Sequence, residues 1–255
     1  MINLYNQDCL VAMQQIKDES IDLIVTSPPY YNARQYSQYN SLDEYLSTMK
    51  QIFQNCFHKL KESRILAVNI SCVIVPREKR STQSYRLPLP FYFTNFLLDI
   101  GFEFLEDIIW VKPNGSVPNR NGGFFRHRKP LAYKPNCITE YILIFKKPSL
   151  KLIDKFLKND EKSLVLGEYE KTNVWHMNPT KNKIHDATFP INLSNKIIRY
   201  YSYIGDTVLD PFSGLATTGI SCLHLERNFI GIEKNTEYYE ASKNRIKEHQ
   251  LKKGE

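Results

Sequence analysis

The chain has 255 residues, and its 34 lysines and arginines against 27 aspartates and glutamates give a formal net charge of +7. That length suits one large α/β domain or two small ones, and 42% hydrophobic with 13% aromatic residues excludes a disordered composition. No apolar run approaches the ~20 residues that span a bilayer, and the N-terminus lacks the apolar stretch of a signal peptide, so no membrane is expected and the expected compartment is the cytoplasm.

In chain order, Ile21–Thr26 (IDLIVT) is a short, almost continuous apolar run ending at Ser27-Pro28-Pro29. Such a run suits a parallel strand buried on both faces. Over 42–60, Leu42, Tyr45, Leu46, Met49, Ile52, Phe53 and Phe57 recur at helical spacing. A second buried strand is predicted at 65–70 (ILAVNI), and 71–90 reads as irregular and partly basic, with Pro88 and Pro90 leading into a helix near 91–100. Strands are predicted at 102–111 and 141–145, separated by a loop rich in Gly, Pro and Arg at 113–136. A charged section at 148–170 reads as peripheral. Beyond it come a helix at 191–203, a strand at 207–209, a tight loop at 211–214, a helix at 216–226, a strand at 229–232 and a charged helix from about 236. This alternation predicts an α/β fold with a doubly wound, mostly parallel sheet. Right-handed crossovers then gather the loops after the strand C-termini on one edge.

The five cysteines (Cys9, Cys56, Cys72, Cys137, Cys222) form no CxxC pair, and the six histidines show no metal-ligand spacing. Neither a disulfide framework nor a metal site is expected. The positive balance suits a polyanionic partner such as nucleic acid, and equally a basic enzyme without one.

Two loops carry chemistry. Thr26-Ser27-Pro28-Pro29-Tyr30 directly follows a buried strand. Consecutive prolines fix φ and remove N–H donors, so the turn is rigid and rich in carbonyls. A carbonyl beside a Ser hydroxyl offers acceptors to an amino group, and Tyr30 offers an aromatic plate; the same composition also makes an ordinary Pro-rich turn. The second loop, Asp210-Pro211-Phe212-Ser213-Gly214, follows another strand. Its small residues let a ligand approach the backbone. Glu233 ends the neighbouring strand Phe229-Ile230-Gly231-Ile232, where an acid can take both hydroxyls of a ribose. GxGxxG is absent, which points to an adenosine-containing cofactor without a pyrophosphate.

TSPPY at 26–30, DPFSG at 210–214 and FIGIE at 229–233 resemble the S-adenosylmethionine-dependent DNA amino-methyltransferases, which methylate cytosine N4 or adenine N6. With the catalytic motif before the cofactor motif, the order resembles the permuted β group. Asn6-Gln7-Asp8-Cys9-Leu10 is similar to that family's GD segment, with Gln7 in place of the usual Gly. Trp110-Val111-Lys112-Pro113, the HDATFP segment at 185–190 and the NxxYxxxxxR tail at 235–245 are further matches. These anchors span most of the chain, 146–184 excepted.

The resemblance implies a permuted class I methyltransferase fold occupying all of 1–255 as one catalytic domain. The insertions at 113–136 and 148–184 are the candidates for target recognition. It implies S-adenosylmethionine as cofactor, held by Asp8, Cys9, Thr26, Phe189, Pro190, Asp210, Phe212, Ser213, Gly214 and Glu233. The catalytic residues it implies are Ser27, Pro28, Pro29 and Tyr30. Ser at the first motif position implies cytosine N4, with adenine N6 as the alternative. The base is expected to flip out of duplex DNA, and Tyr31, Tyr36 and Tyr39 either close over it or pack on the surface. Lys112 either forms a salt bridge at a strand end or meets substrate. No cysteine follows a proline, which disfavours the covalent route to cytosine C5. The expected DNA contacts are Arg120, Arg126, Arg128, Lys129 and Lys134, with Arg77 and Arg80 as a second group. A cognate restriction endonuclease and a homodimer are further partners that the family allows. A protein or RNA methyltransferase, or a DNA-binding protein without activity, are the competing readings.

Overall fold

The computed structural model describes residues 1–32, 38–77, 79, 81–150, 160–180 and 190–254. Arg80, Tyr36 and 181–189, which include Phe189 and most of the HDATFP segment, lie outside the described residues.

The strands are β1 (Ile2–Tyr5), β2 (Ile21–Thr26), β3 (Leu60–Ile70), β4 (Val73–Val75), β5 (Tyr85–Leu87), β6 (Glu103–Val111), β7 (Thr139–Lys146), β8 (Val174–His176), β9 (Thr207–Asp210) and β10 (Asn228–Ile232). The α-helices among the described residues are α1 (Cys9–Met13), α2 (Leu42–Lys59), α3 (Leu89–Ile100), α4 (Gly122–His127), α5 (Ile191–Tyr201), α6 (Thr217–His224) and α7 (Thr236–Gly254).

Eight strands form one sheet in the order β1-β10-β9-β2-β3-β7-β6-β8. Only β7 runs against the rest, pairing antiparallel with β3 and β6. The expected doubly wound, mostly parallel architecture is therefore the observed one. All six residues of β2 are buried, because helices cover both faces of the sheet around it. Its one charged residue, Asp22, is held by Lys61 at 2.7 Å and Arg64 at 3.1 Å.

Each face has its own core. On one side α2 and α3 contribute Tyr45, Met49, Phe53 and Phe93. On the other, α5, α6 and α7 contribute Leu193, Ile197, Ile220 and Ile246. Each such large side chain contributes roughly 1.5–3 kcal/mol by leaving water. The helix α2 starts with a capping box: Ser41 accepts the Glu44 N–H at 3.1 Å while Glu44 accepts from Asn40. The helix α3 stops at Gly101, whose φ of 112° favours a residue without Cβ. Behind β10, Gly219 of α6 faces Phe229 so closely that a Cβ would lie 2.7 Å from its ring.

The structure adds elements that the chain-order reading lacked. β1 is a short, half-buried edge strand. β4 and β5 make a separate hairpin inside 71–90, and α4 lies within the loop expected at 113–136. β8 joins the sheet beside β6 and buries Trp175, so this part of 148–184 is a structural strand. Among the described residues no helix is long and apolar enough to cross a membrane.

The connections leaving β2 and β9 diverge: β2 leads through α2 to β3, whereas β9 leads through α6 to β10 on its other side. β2 and β9 are themselves neighbours. Such a switch point opens a crevice at the carboxyl ends of the strands, and both motif loops begin there.

Candidate active site

A cavity of about 890 Å³ occupies the switch point. Its wall contains Asp8, Cys9, Ser27, Pro28, Pro29, Tyr30, Asp210, Phe212, Ser213, Gly214 and Glu233. The two motif loops and the segment after β1 thus face one space. Two residues expected at the site stand behind it. Thr26 is fully buried and touches Asp210, and Pro190 is a buried residue capping α5.

The loop after β9 is tied down on three sides. Asp210 Oδ1 accepts from the Thr26 hydroxyl at 2.7 Å and from the Phe212 N–H at 3.1 Å, and Oδ2 accepts from Thr218 at 2.9 Å. Burial still pushes the Asp210 carboxyl up to about 6. Ser213 N–H donates to the Ile232 carbonyl at 2.9 Å. Gly214 turns with φ of 49°. Glu233 accepts the Gly214 N–H at 2.9 Å on Oε2 and the Asn235 N–H at 2.7 Å on Oε1. Each carboxylate oxygen keeps a second lone pair. Ser213 Oγ is buried and without a partner, although it belongs to a residue of the cavity wall. An orphaned hydroxyl there is a standing demand for a polar ligand atom.

On the β1 side, Asp8 caps α1 by accepting the Leu10 N–H at 3.0 Å, and Lys234 lies 3.2 Å from its other oxygen. Burial pushes the Cys9 thiol up to about 12, so it stays protonated and is no nucleophile.

The loop after β2 is tied to residues that motif reading missed. Tyr30 donates its hydroxyl to Glu140 Oε2 at 3.1 Å, and the nearby Ser27 side chain offsets part of the rise in the phenol's pKa. Asn69 donates to Glu140 Oε2 at 3.0 Å, and Lys112 is ion-paired with Oε1. Lys112 also lies 4.7 Å from the centre of the Trp110 ring. Of the two roles open to Lys112, the ion pair is the one seen, within the cavity wall rather than away from it. Burial and the adjacent Glu140 charge keep the Tyr30 phenol protonated, well above its ordinary pKa. A lone Asn in the apolar run ILAVNI was the signal available for Asn69; Glu140 had none beyond its place at a strand start.

Tyr31 and Tyr39 pack on buried Tyr45, with ring centres 5.7 and 5.0 Å away, and Tyr39 also belongs to the cavity wall. Of the expected DNA contacts, Arg77, Arg126, Arg128 and Lys129 are exposed, and Arg120 and Lys134 are half-buried. Arg128 lies over the Phe125 ring at 5.2 Å. None of these six belongs to the cavity wall.

Comparison with known proteins agrees with this geometry. A family model described as DNA methylase matches residues 21–244. The Type II beta methyltransferase M.BslI of Bacillus sp. (strain NEB-606) is 32% identical over 254 residues, or 96% of this chain; the chain spans 27% of that relative's length. The fold is similar to that of TTHA0409 from Thermus thermophilus, solved with S-adenosyl-L-methionine. The TM-score is 0.76 at 24% identity, over 98% of this chain and 94% of that one. It is also similar to the M1.HpyAVI–SAM complex, with a TM-score of 0.66 at 25% identity, over 96% and 99% of the two chains. With a family match over nearly its whole length and both motif loops meeting in one cavity, the chain belongs to the DNA methylase family of N6 and N4 methyltransferases.

Proposed function

We propose that this chain transfers a methyl group from S-adenosylmethionine to the exocyclic N4 of a cytosine turned out of duplex DNA. One observation carries the reading: the SPPY loop, the Asp210–Gly214 loop and Glu233 all line a single cavity.

The residues present fit the cofactor. Glu233 has lone pairs that would take the ribose hydroxyls, Ser213 Oγ has an unmet hydrogen bond for the methionine end beside Phe212, and Asp8 and Cys9 would wall the adenine. When bound, S-adenosylmethionine supplies an electrophilic methyl group on a sulfonium.

The protein's own task is to make a weak aromatic amine attack. That nitrogen's lone pair is delocalised into the ring, so it must become more tetrahedral and be held in line. The hydrogen bonds around Tyr30 have a direction that serves this. Tyr30 donates to Glu140, which Lys112 and Asn69 hold as an acceptor, so the Tyr30 oxygen is the group that can accept the Ser27 proton. Both lone pairs of Ser27 are then presented as acceptors. Ser27 Oγ and the Pro28 carbonyl take the two amino protons as positive charge develops on nitrogen. Ser27 is a poor base, so the proton is lost after methyl transfer, to water or to a relay. DNA approaches the C-terminal edge of the sheet, where the basic segment 113–136 and the β4–β5 hairpin lie.

Labelled methyl transfer to DNA followed by nucleoside analysis tests the proposal. N4-methylcytosine is expected. N6-methyladenine alone would overturn the choice of base, and an unlabelled DNA would overturn the activity. Ser27→Ala is expected to lower the rate by ~10²–10³, as loss of one preorganised hydrogen bond to a transition state does elsewhere.

A further inference from the structure

Away from the cavity, two cations converge on one hydroxyl. Arg120 Nη2 lies 2.9 Å and Lys134 Nζ 3.1 Å from Ser84 Oγ. Both are donors, so they occupy both lone pairs of the hydroxyl, and its own proton is directed outward. What these three side chains have left to offer is donors only: the Ser84 O–H, the remaining guanidinium N–H groups and two ammonium N–H groups. Among the described residues no carboxylate is ion-paired with either cation. The segment 113–136 contains no Asp or Glu at all. Two like charges held half-buried around a shared acceptor repel each other unless an anion joins them.

The arms are preset and come from different insertions. The Arg120 N–H donates to Asn136 Oδ1 at 2.8 Å, fixing the backbone of the 113–136 segment. Ser84 immediately precedes β5 of the hairpin. Both insertions follow the C-terminal ends of parallel strands, β3 and β6, on the edge where the cavity lies. Exposed Arg126, Arg128 and Lys129 continue the same sign along the segment.

We propose that Ser84, Arg120 and Lys134 form a socket for one phosphate of the DNA backbone. This rests on the reading of the chain as a DNA-modifying enzyme and deepens it. A phosphodiester brings one negative charge and two non-bridging oxygens, which matches three side chains with only donors left to offer. Contacts of this kind set the register of the duplex without reading its sequence. Bridging the hairpin to the 113–136 segment, the anion also replaces the repulsion between Arg120 and Lys134 with a shared partner.

The test is the affinity of the full chain for a duplex oligonucleotide, with S-adenosylmethionine present, over a range of salt. Arg120→Gln and Lys134→Gln are each expected to weaken binding about tenfold at low salt. Each should also flatten the plot of log K against log salt by about one unit of slope. Ser84→Ala keeps both charges, so it should weaken binding severalfold and leave the slope unchanged. Thermal melting of each variant identifies any loss caused by misfolding, and Arg120→Lys, which keeps the charge, should restore the slope. Wild-type affinity and slope in folded variants would overturn the socket. Protection of the wild type, but not of Arg120→Gln, by millimolar inorganic phosphate without any change in the DNA slope would overturn the DNA assignment in favour of free phosphate. A wild-type chain that does not bind or methylate DNA would overturn the proposed function itself, an outcome distinct from failure of the socket alone.

Discussion

The Thr26 hydroxyl lies 2.7 Å from Asp210 Oδ1, joining residues 184 positions apart. Thr26 ends β2, and Asp210 ends β9. Through this bond the loop that offers acceptors to a base and the loop that walls the cofactor space share one buried anchor. The same carboxylate reaches Thr218 in the first turn of α6 and the Phe212 N–H, so a single side chain sets the position of strand end, loop and helix start.

Thr26→Val removes a donor at nearly constant volume and leaves the carboxylate one hydrogen bond short. A bond to a charged acceptor is worth about 1.5–3 kcal/mol. Denaturant unfolding at pH 8 should show a loss of that order, and calorimetry should show weaker S-adenosylmethionine binding. An unchanged midpoint together with unchanged binding would show that the two loops are held by other contacts.

Asp210 also makes stability depend on pH. Burial raises its carboxyl from 3.8 in the unfolded chain to about 6 in the fold. Between these values the folded state binds the extra proton, so stability falls as pH rises from about 4 to 6 and levels off above. Asp210→Asn cannot titrate. The stability of the wild type minus that of Asp210→Asn should therefore decline through this window, by up to about 3 kcal/mol at 1.36 kcal/mol per pH unit. A difference that is flat, or that rises with pH, would contradict the buried, ionisable carboxylate.

Glu140 is a positioning residue in this scheme, acting on Ser27 through Tyr30. Tyr30→Phe keeps the ring and deletes the hydroxyl that takes the Ser27 proton. Its methyl-transfer rate should fall ~10-fold or more while S-adenosylmethionine affinity stays at the wild-type level, since the residues proposed to hold the cofactor include neither Tyr30 nor Glu140. Glu140→Gln keeps an acceptor for Tyr30 and should lose less in rate, at the cost of the ion pair with Lys112. Single-turnover kinetics beside binding isotherms separate these effects. Equal losses of affinity and rate would make the network structural.

Gly219 sets how closely α6 approaches the sheet. A methyl group there would meet Phe229 at 2.7 Å. Gly219→Ala should destabilise the fold by about 1–3 kcal/mol through overpacking. Adding Phe229→Leu should return part of the loss, a coupling that a double-mutant cycle measures directly.

Much of this architecture is written along the chain. β2 could be recognised because a parallel strand buried on both faces appears as an almost continuous apolar run. α2 could be recognised because Tyr45, Met49, Ile52 and Phe53 repeat with the helical period. Ser27, Gly214 and Glu233 stood out because loops after buried strands carry unusual residue types. The strands that escaped are β1, β4, β5 and β8, of three or four residues each, too short for a period to show. Their stability comes from pairing with distant partners, as β1 does with β10 across the whole length of the chain.

The polar groups behind the site escaped for the same reason. Asn69 and Glu140 are 71 residues apart and meet only because β3 and β7 pair antiparallel, with Asn69 opposite Ile142. Ser84 gathers Arg120 and Lys134 from 36 and 50 residues away. By itself, then, the amino-acid sequence determined the strand–helix alternation, the two motif loops and the family they resemble, because these depend on residues adjacent along the chain. The tertiary structure alone decided which acceptors are oriented, which carboxyl titrates above its ordinary range and where two cations meet. Those properties depend on burial and on distances between residues that only the pairing of strands brings together.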